Sequence, residues 1–134
     1  MSSWSSRPLV LLAEDDPDIR LLVGTLLRRW GYEVMAADSG RDALELAASR
    51  PPTLVILDIG MPPPDGIEVT RTLKADPALR HVPVILLTAH AGESRAEEGL
   101  AAGASGYLTK PFQSQALRKA IWSVVPAAVP ENAA

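Results

Sequence analysis

Short apolar runs alternate along the chain with longer segments in which apolar residues recur at helical spacing. Five runs have the composition of strands: PLVLLA, YEVMAA, PTLVILD, VPVILLT and GYLTKP. Three stretches, 9–12, 54–57 and 84–87, are continuously apolar, which is typical of strands buried on both faces of a parallel sheet. We therefore predict a parallel sheet with these three stretches at its centre.

The segments between the runs predict five helices. The first has Asp16 as its cap, Pro17 in its first turn and one apolar face at helical spacing. That face consists of Ile19, Leu22, Val23, Leu26, Leu27 and Trp30. The other helices are expected near 41–49, 66–74, 94–102 and 113–125. Such alternation with short loops predicts right-handed crossovers and a doubly wound α/β sheet with helices on both faces.

The last helix carries an unusual aromatic residue. Its buried face is expected to be Ala116, Leu117, Ala120, Ile121 and Val124. Trp122 then lies partly outside that face. An exposed large apolar side chain is either a contact surface for a partner or a plain residue at the rim of the core.

Length, composition and charge limit the class of protein. The chain has 134 residues, of which 47% are hydrophobic, and this size predicts a single domain. We expect that domain at 8–125 and disordered tails at 1–7 and 126–134. The net charge of −3 argues against direct binding of nucleic acid or anionic membranes. The absence of cysteine and the short apolar runs fit a soluble cytoplasmic protein without a membrane span.

Charged and polar residues follow four of the predicted strands. Glu14 and Asp15 follow the first strand, Asp58 and Thr88 end the third and fourth, and Lys110 follows the fifth. Because ligands bind outside the carboxyl ends of parallel strands, we expect these side chains to form one site. Three converging carboxylates require a positive partner, and hard oxygen ligands select a hard cation such as Mg²⁺. The ammonium and hydroxyl groups suit phosphoryl oxygens, so the site is suited to placing a phosphoryl group on a carboxylate.

The same segments resemble a receiver domain of bacterial two-component response regulators, of the single-domain chemotaxis-regulator type. The matching motifs are EDD after the first strand, DIGMPPPDG after the third, LLTAH at the fourth and GYLTKPF at the fifth. The resemblance covers residues from about 8 to 125. It implies a flavodoxin-like fold, with five parallel strands in the order 2-1-3-4-5 and five flanking helices.

The resemblance also implies a role for each residue that matches the family motif. Asp58 matches the phosphoacceptor. Asp15 matches the direct Mg²⁺ ligand, Glu14 the acidic partner that usually acts through water, and the Gly60 carbonyl completes the protein ligands. Thr88 and Lys110 match the switch hydroxyl and the phosphate-binding lysine. Tyr107 matches the rotating aromatic residue.

By this resemblance the protein is a signalling switch rather than an enzyme, although it promotes its own phosphotransfer and dephosphorylation. Asp58 receives a phosphoryl group from a histidine kinase or a phosphotransfer protein, and Thr88 and Lys110 then move onto it. Tyr107 turns inward, which alters the face formed by the fourth helix, the fifth strand and the fifth helix. That face is expected to contact an unidentified downstream protein, or a second copy of the chain in a homodimer.

Several alternatives remain open from the sequence. Asp16 suits a helix cap better than a metal ligand. His90 lies near the phosphoryl site by the resemblance, and both His90 and Gly60 are candidates for tuning the lifetime of the phosphorylated form. Two alternatives to a single-domain phosphoacceptor remain. One is a binding module that works without phosphorylation, and the other is a receiver fragment of a larger hybrid kinase or regulator. A phosphatase that uses Asp58 as nucleophile is disfavoured because Gly60 stands where its general acid is needed.

Overall fold

A computed structural model describes residues 7–89 and 94–125 of the chain. His90 lies outside the described residues, and so do the expected tails apart from Arg7. None of the helices in the described part is long and apolar enough to cross a membrane.

Five parallel strands form one sheet in the order β2-β1-β3-β4-β5, which confirms the flavodoxin-like topology. They are β1 (Leu9–Ala13), β2 (Glu33–Ala37), β3 (Leu54–Asp58), β4 (Val84–Thr88) and β5 (Gly106–Thr109). All residues of β1, β3 and β4 are buried, as their continuous apolar runs predict. The order of the strands reverses between β1 and β3, and this reversal opens a crevice at their carboxyl ends.

Five helices connect the strands: α1 (Pro17–Arg29), α2 (Gly40–Ser49), α3 (Gly66–Ala75), α4 (Ser94–Ala101) and α5 (Ser114–Val124). The Asp16 side chain accepts hydrogen bonds from the backbone N–H groups of Asp18 and Ile19, which confirms its role as the cap of α1. At α3, Asp65 and Glu68 form a reciprocal capping box. This capping box fixes the position of Asp65, which ends the loop that follows Asp58.

Two apolar cores lie on opposite faces of the sheet, because successive strand side chains point to opposite sides. Leu11, Leu57 and Leu86 belong to one core, which includes residues of α2 and α3. Their chain neighbours Leu12, Ile56 and Leu87 belong to the other, which includes residues of α1 and α5. Burial of each such side chain contributes about 1.5–3 kcal/mol, so the two cores hold the strand ends firmly in register.

Two residues expected on buried helix faces are exposed instead. Leu22 of α1 is 58% exposed, because the apolar stripe of this helix is wider than the surface that covers it. It borders an open groove with Pro111 and Phe112. Ala116 in the first turn of α5 is also exposed, and the buried residues of this helix are Leu117 and Ile121. Trp122 lies outside that face, as expected, with 46% of its surface exposed.

Helix α4 packs on the sheet through small residues. Ala96 and Gly99 are buried, whereas Leu100, the large apolar residue of this helix, is 41% exposed. A Cβ added at Gly99 would overlap the Leu86 side chain of β4, so glycine permits close approach of helix and strand. No large side chain of α4 is inserted into the core in the described part of this helix.

The loop after β3 rests against the first turn of α2. A Cβ added at Gly40 would overlap the carbonyl oxygen of Pro64 and would lie 2.9 Å from Val69 Cγ2 of α3. The backbone oxygen cannot move away without displacing the loop that links Asp58 to α3. Glycine at position 40 therefore fixes the approach of α2 to this loop.

We expect Gly40→Ala to lower the free energy of unfolding by up to about 2 kcal/mol. Overpacking costs about 1–3 kcal/mol, and the ~1 kcal/mol that alanine gains over glycine in helix propensity offsets part of that cost. The matched control is Gly106→Ala in β5, where an added Cβ meets no atom within 4 Å. Urea unfolding of both variants measures the difference. Equal stability of the two variants would contradict this account of the contact.

Candidate functional site

The carboxyl ends of β1, β3 and β5 bring three carboxylates and one ammonium together. Carboxylate oxygens of Glu14, Asp15 and Asp58 lie within 4.8 Å of one another. The Lys110 Nζ atom lies 2.9 Å from Glu14 Oε1 and 3.3 Å from Asp58 Oδ1. The sequence therefore predicted correctly that these four side chains meet at one edge of the sheet.

The four side chains differ in their access to solvent. Glu14 is fully buried and Asp58 almost so, whereas Asp15 is exposed. Thr88, at the end of β4, is also buried. The site is thus a buried floor formed by Glu14, Asp58 and Thr88, with Asp15 at its open side. An exposed Asp15 leaves space for water molecules, which Mg²⁺ retains when it binds to proteins.

Burial dominates the electrostatics of the site. It raises the pKa of Glu14 to about 7 and outweighs the hydrogen bonds from Lys110 and the Asp16 backbone, which lower it; the charge of Asp58 raises it further. Burial by itself lowers the pKa of Lys110, but the hydrogen bond to Glu14 and the charge of Asp58 outweigh it, so that the pKa is raised. Lys110 therefore stays charged, while the buried carboxylates share one cation.

Backbone groups and one arginine hold the acidic residues in place. The Gly60 N–H donates to Asp58 Oδ1 at 3.1 Å, and the Asp16 N–H donates to Glu14 Oε2 at 3.1 Å. Arg20 of α1 donates from Nη1 to the Glu14 carbonyl oxygen at 2.7 Å. Arg20 was not predicted from the sequence as part of the site. The signal that could have identified Arg20 is its position in the first turns of the helix that follows EDD.

A cleft of about 310 Å³ opens beside Asp58. With ~30 Å³ per water molecule in the liquid, this volume equals that of roughly ten waters, enough for a phosphoryl group. The lining residues are Asp58, Ile59, Gly60, Met61, Asp65, Thr88, Ala89 and Arg95. Sequence reasoning missed Asp65 and Arg95 as lining residues, because the contact between them spans thirty positions of the chain.

Gly60 leaves this cleft open above the Asp58 carboxylate. A Cβ at this position would lie 3.7 Å from Asp58 Oδ1, in ordinary contact, so a larger side chain here would border that carboxylate. The roles of the Gly60 carbonyl as a ligand and of Gly60 in the lifetime stay predictions. The same holds for His90, which lies outside the described residues.

The expected switch and interface residues lie away from the carboxylates. Tyr107 of β5 is 39% exposed and therefore points outward in this conformation. The Trp122 ring lies 5.2 Å from the Arg118 guanidinium, which is also 5.5 Å from the ring of Trp30 at the end of α1. Trp122 is therefore part of a stack that joins α5 to α1. Its role as an interface stays a prediction.

The donor set fits a hard divalent cation. Glu14, Asp15 and Asp58 offer carboxylate oxygens on one side of the cleft, close enough to converge on one ion. Burial and the charge of Asp58 raise the pKa of Glu14 although Lys110 is in contact with it, and a second positive charge would favour the ionised carboxylate. Asp16 does not belong to this set, because its side chain caps α1.

A family model described as the response regulator receiver domain matches residues 10–122. The chain belongs to the response regulator receiver family. As a receiver domain it has a phosphoacceptor role in two-component signalling, and its family consists of signalling switches.

Relatives of this receiver include single-domain and longer regulators. The response regulator PleD of Caulobacter vibrioides is 43% identical over 104 residues, which are 77% of this chain but only 23% of PleD. The polar-differentiation response regulator DivK of Brucella ovis is 39% identical over 103 residues, which are 77% of this chain and 84% of DivK. The chain thus spans under a quarter of PleD and most of DivK.

A solved receiver structure shares the fold of this chain. The receiver domain of the sensor histidine kinase PA1611 from Pseudomonas aeruginosa PAO1 superimposes with a TM-score of 0.83 at 32% identity, over 90% of this chain and 98% of that chain. That structure has a magnesium ion coordinated in its active site cleft. In the receiver described here, three carboxylates meet at the carboxyl ends of β1 and β3.

The raised pKa of Glu14 predicts how the stability of the metal-free receiver depends on pH. Its folded-state pKa of about 7 exceeds the ordinary value of 4.5, so the folded chain retains a proton that the unfolded chain loses between these values. Stability from this group is present below pH 4.5 and is lost as the pH rises through 7. Glu14→Gln removes that loss, and we expect its advantage over the wild type to grow by about 1–3 kcal/mol between pH 5 and pH 8.

Urea unfolding with a chelator present, at pH 5, 6, 7 and 8, measures this difference. Glu45→Gln on the exposed side of α2 is the control for removal of a carboxylate. A constant difference between Glu14→Gln and the wild type across these pH values would contradict the assignment of a buried, protonated Glu14.

Proposed function

We propose that Asp58 is the phosphoacceptor of this receiver and that Lys110 and Thr88 bind the transferred group. One observation carries this proposal. Asp58 is the carboxylate that both contacts Lys110 and, together with Thr88, lines the cleft. Glu14 does not line the cleft, and Asp65 has both carboxylate oxygens engaged, Oδ1 by the Glu68 N–H and Oδ2 by Arg95.

The transfer itself is a displacement at phosphorus. Asp58 Oδ1 is held by the Gly60 N–H and by Lys110, which leaves Oδ2 to attack. The bond from Oδ2 to phosphorus forms while the bond from phosphorus to the donor histidine nitrogen breaks, and the electron pair returns to the imidazole. Lys110 stabilises the charge on the phosphoryl oxygens during this step.

Mg²⁺ is the proposed cofactor, held by Glu14, Asp15, Asp58 and the Gly60 carbonyl. When bound, it supplies positive charge that neutralises phosphoryl oxygens. Asp15 and Asp58 would serve as direct ligands. Glu14, which is buried and paired with Lys110, would act through a water molecule.

The phosphoryl group drives the proposed switch by electrostatics. It replaces a singly charged carboxylate with a group of about −1.5 to −2 charge and three acceptor oxygens. Hydrogen bonds to charged groups contribute about 1.5–3 kcal/mol each, and about 5.5 kcal/mol moves a two-state equilibrium from 1:99 to 99:1. Two or three new contacts, from Lys110 and Thr88 among others, therefore suffice. Movement of Thr88 gives Tyr107 space to turn inward and changes the α4-β5-α5 face.

The proposed phosphodonor is a histidine kinase or a phosphotransfer protein of the cytoplasm. A groove of about 350 Å³ adjoins the site, with Lys110 in its lining beside exposed apolar Leu22. A partner seated on this groove would bring a phosphohistidine close to Lys110 and Asp58. The downstream partner is a protein, or a second copy of the chain, that binds the α4-β5-α5 face.

Incubation with Mg²⁺ and acetyl phosphate tests the proposed function by intact mass. We expect a gain of one phosphoryl group that requires Mg²⁺ and is absent in Asp58→Ala. Because Asp58 is the proposed nucleophile, no other carboxylate should replace it. A gain retained in Asp58→Ala would contradict the assignment. No gain with either acetyl phosphate or a phosphorylated kinase would favour a module that works without phosphorylation.

The proposed homodimer predicts a specific effect of the exposed aromatic residue on β5. Sedimentation of the phosphorylated chain should show association, and Tyr107→Glu should abolish it because a charge would be buried in the α4-β5-α5 interface. Leu21→Glu is the matched control, since Leu21 is exposed on α1. Loss of association in both variants, or a monomer in every state, would contradict a dimer through this face.

A further inference from the structure

A chain of four charged side chains links α3 to α4. Arg95 pairs through Nη2 with Asp65 Oδ2 and through Nη1 with Glu98 Oε1, the latter at 3.1 Å. Arg71 Nη2 lies 3.2 Å from Glu98 Oε2. The network is neutral and joins the N-cap of α3 to the first turns of α4.

One end of this network borders the phosphoacceptor cleft. Both Arg95 and Asp65 line it, together with Asp58 and Thr88. Arg95 is the one cation among these lining residues; Lys110 contacts Asp58 from the end of β5 and does not line this cleft. Lys110 of β5 thus contacts Asp58 directly, and Arg95 of α4 lines the same cleft as Asp58.

We propose that Arg95 is a second cationic ligand of the phosphoryl group. When Asp58 is phosphorylated, the Arg95 guanidinium leaves Asp65 and Glu98 and binds phosphoryl oxygens in the cleft. This inference rests on the proposed role of Asp58. It adds a residue of α4 to the groups that respond to phosphorylation, beside Thr88 and Lys110.

The exchange is favoured by the strength of the new contact, which has to exceed the close pair with Asp65, and by the weakness of the pair with Glu98. The Arg95 and Glu98 side chains are 45% and 41% exposed, and ion pairs at such sites contribute little. A phosphoryl group offers more charge than one carboxylate and several acceptors, and the guanidinium fork can bind two of its oxygens at once.

The exchange also leaves Asp65 and Glu98 with another partner or with access to water. Asp65 Oδ1 continues to accept from the Glu68 N–H, so the cap of α3 is kept. Its Oδ2 belongs to a side chain that is 20% exposed and can be hydrated. Glu98 retains Arg71 as a partner. The network can therefore release Arg95 without breaking either helix.

Movement of Arg95 would be transmitted to α4 directly. This helix packs on the sheet through Ala96 and Gly99, so no large side chain has to leave the core when its first turn shifts. Arg95 thus couples the phosphoryl group to α4 by a route that does not pass through Thr88 and Tyr107.

Binding of beryllium fluoride with Mg²⁺, an analogue of a carboxylate-bound phosphoryl group, tests the proposal. We expect Arg95→Gln to raise the half-saturating concentration about tenfold, the effect of losing a hydrogen bond to a charged group. Arg71→Gln makes the same charge change in the same network but does not line the cleft, so it should change binding by less than about twofold. Equal effects of Arg95→Gln and Arg71→Gln would overturn the proposal.

A double-mutant cycle separates direct contact from charge at a distance. Asp65→Asn keeps a side chain that can cap α3 but removes the charge that holds Arg95, so it should tighten binding. In the Arg95→Gln background the gain should be smaller, because Asp65 also lines the cleft and only its direct repulsion of the ligand is then removed. An equal gain in both backgrounds would mean that Arg95 is not released onto the ligand, and the proposal would fail.

NMR of the arginine side-chain N–H groups provides a readout that stability does not affect. When the analogue binds, the Arg95 N–H resonance should change its chemical shift and become protected from exchange with solvent. The Arg71 resonance should keep its chemical shift. If the wild type is phosphorylated at Asp58 but Arg95→Gln and Arg71→Gln have the same half-saturating concentration for beryllium fluoride, the inference about Arg95 is wrong and the proposed function stands. If Asp58 of the wild type is not phosphorylated at all, the proposed function fails and the inference with it.

Discussion

The crowding of Glu14, Asp15 and Asp58 around Lys110 is the constraint on which the rest of the structure depends. Two carboxylates about 4 Å apart repel by roughly 4 kcal/mol at an effective dielectric of 20. The fold opposes this repulsion with elements on every side. The Lys110 ammonium contacts two of the acids, Arg20 binds the Glu14 carbonyl, and the Gly60 N–H fixes Asp58. A positive ligand in the cleft therefore relieves a strain that the fold itself imposes.

Such a site requires a rigid sheet to hold its carboxylates, whereas α4 and β5 at its edge can be less firmly anchored. The fully buried strands β1 and β3 hold the ends that carry Glu14 and Asp58, and β4 holds Thr88. Helix α4 touches the sheet through small residues, and Tyr107 on the edge strand β5 is exposed. A change of charge at Asp58 meets least resistance at α4 and β5, because a shift of β1 or β3 would disturb both cores.

The sequence predicted the buried strands and the residues at their ends better than the contacts made by helix side chains. Continuous apolar runs identify β1, β3 and β4, and the residues at their ends follow from the geometry of parallel sheets. The strand order and the roles of single residues came from the family resemblance. Periodicity alone placed Leu22 on a buried face, because it does not reveal how much of a helix the sheet covers. Arg20 and Arg95 were missed because long side chains reach partners that helix packing selects, not local pattern.

Lys110 and Arg95 differ in the partners that hold them. Lys110 contacts fully buried Glu14, so any movement of its ammonium toward a group on Asp58 starts from an ion pair at the floor of the site. Among the described residues, Arg95 pairs with Asp65 and Glu98, and each of these has another partner or access to water. The proposed change of partners by Arg95 therefore leaves the buried floor intact, and because it takes place on α4 it is visible from outside the site.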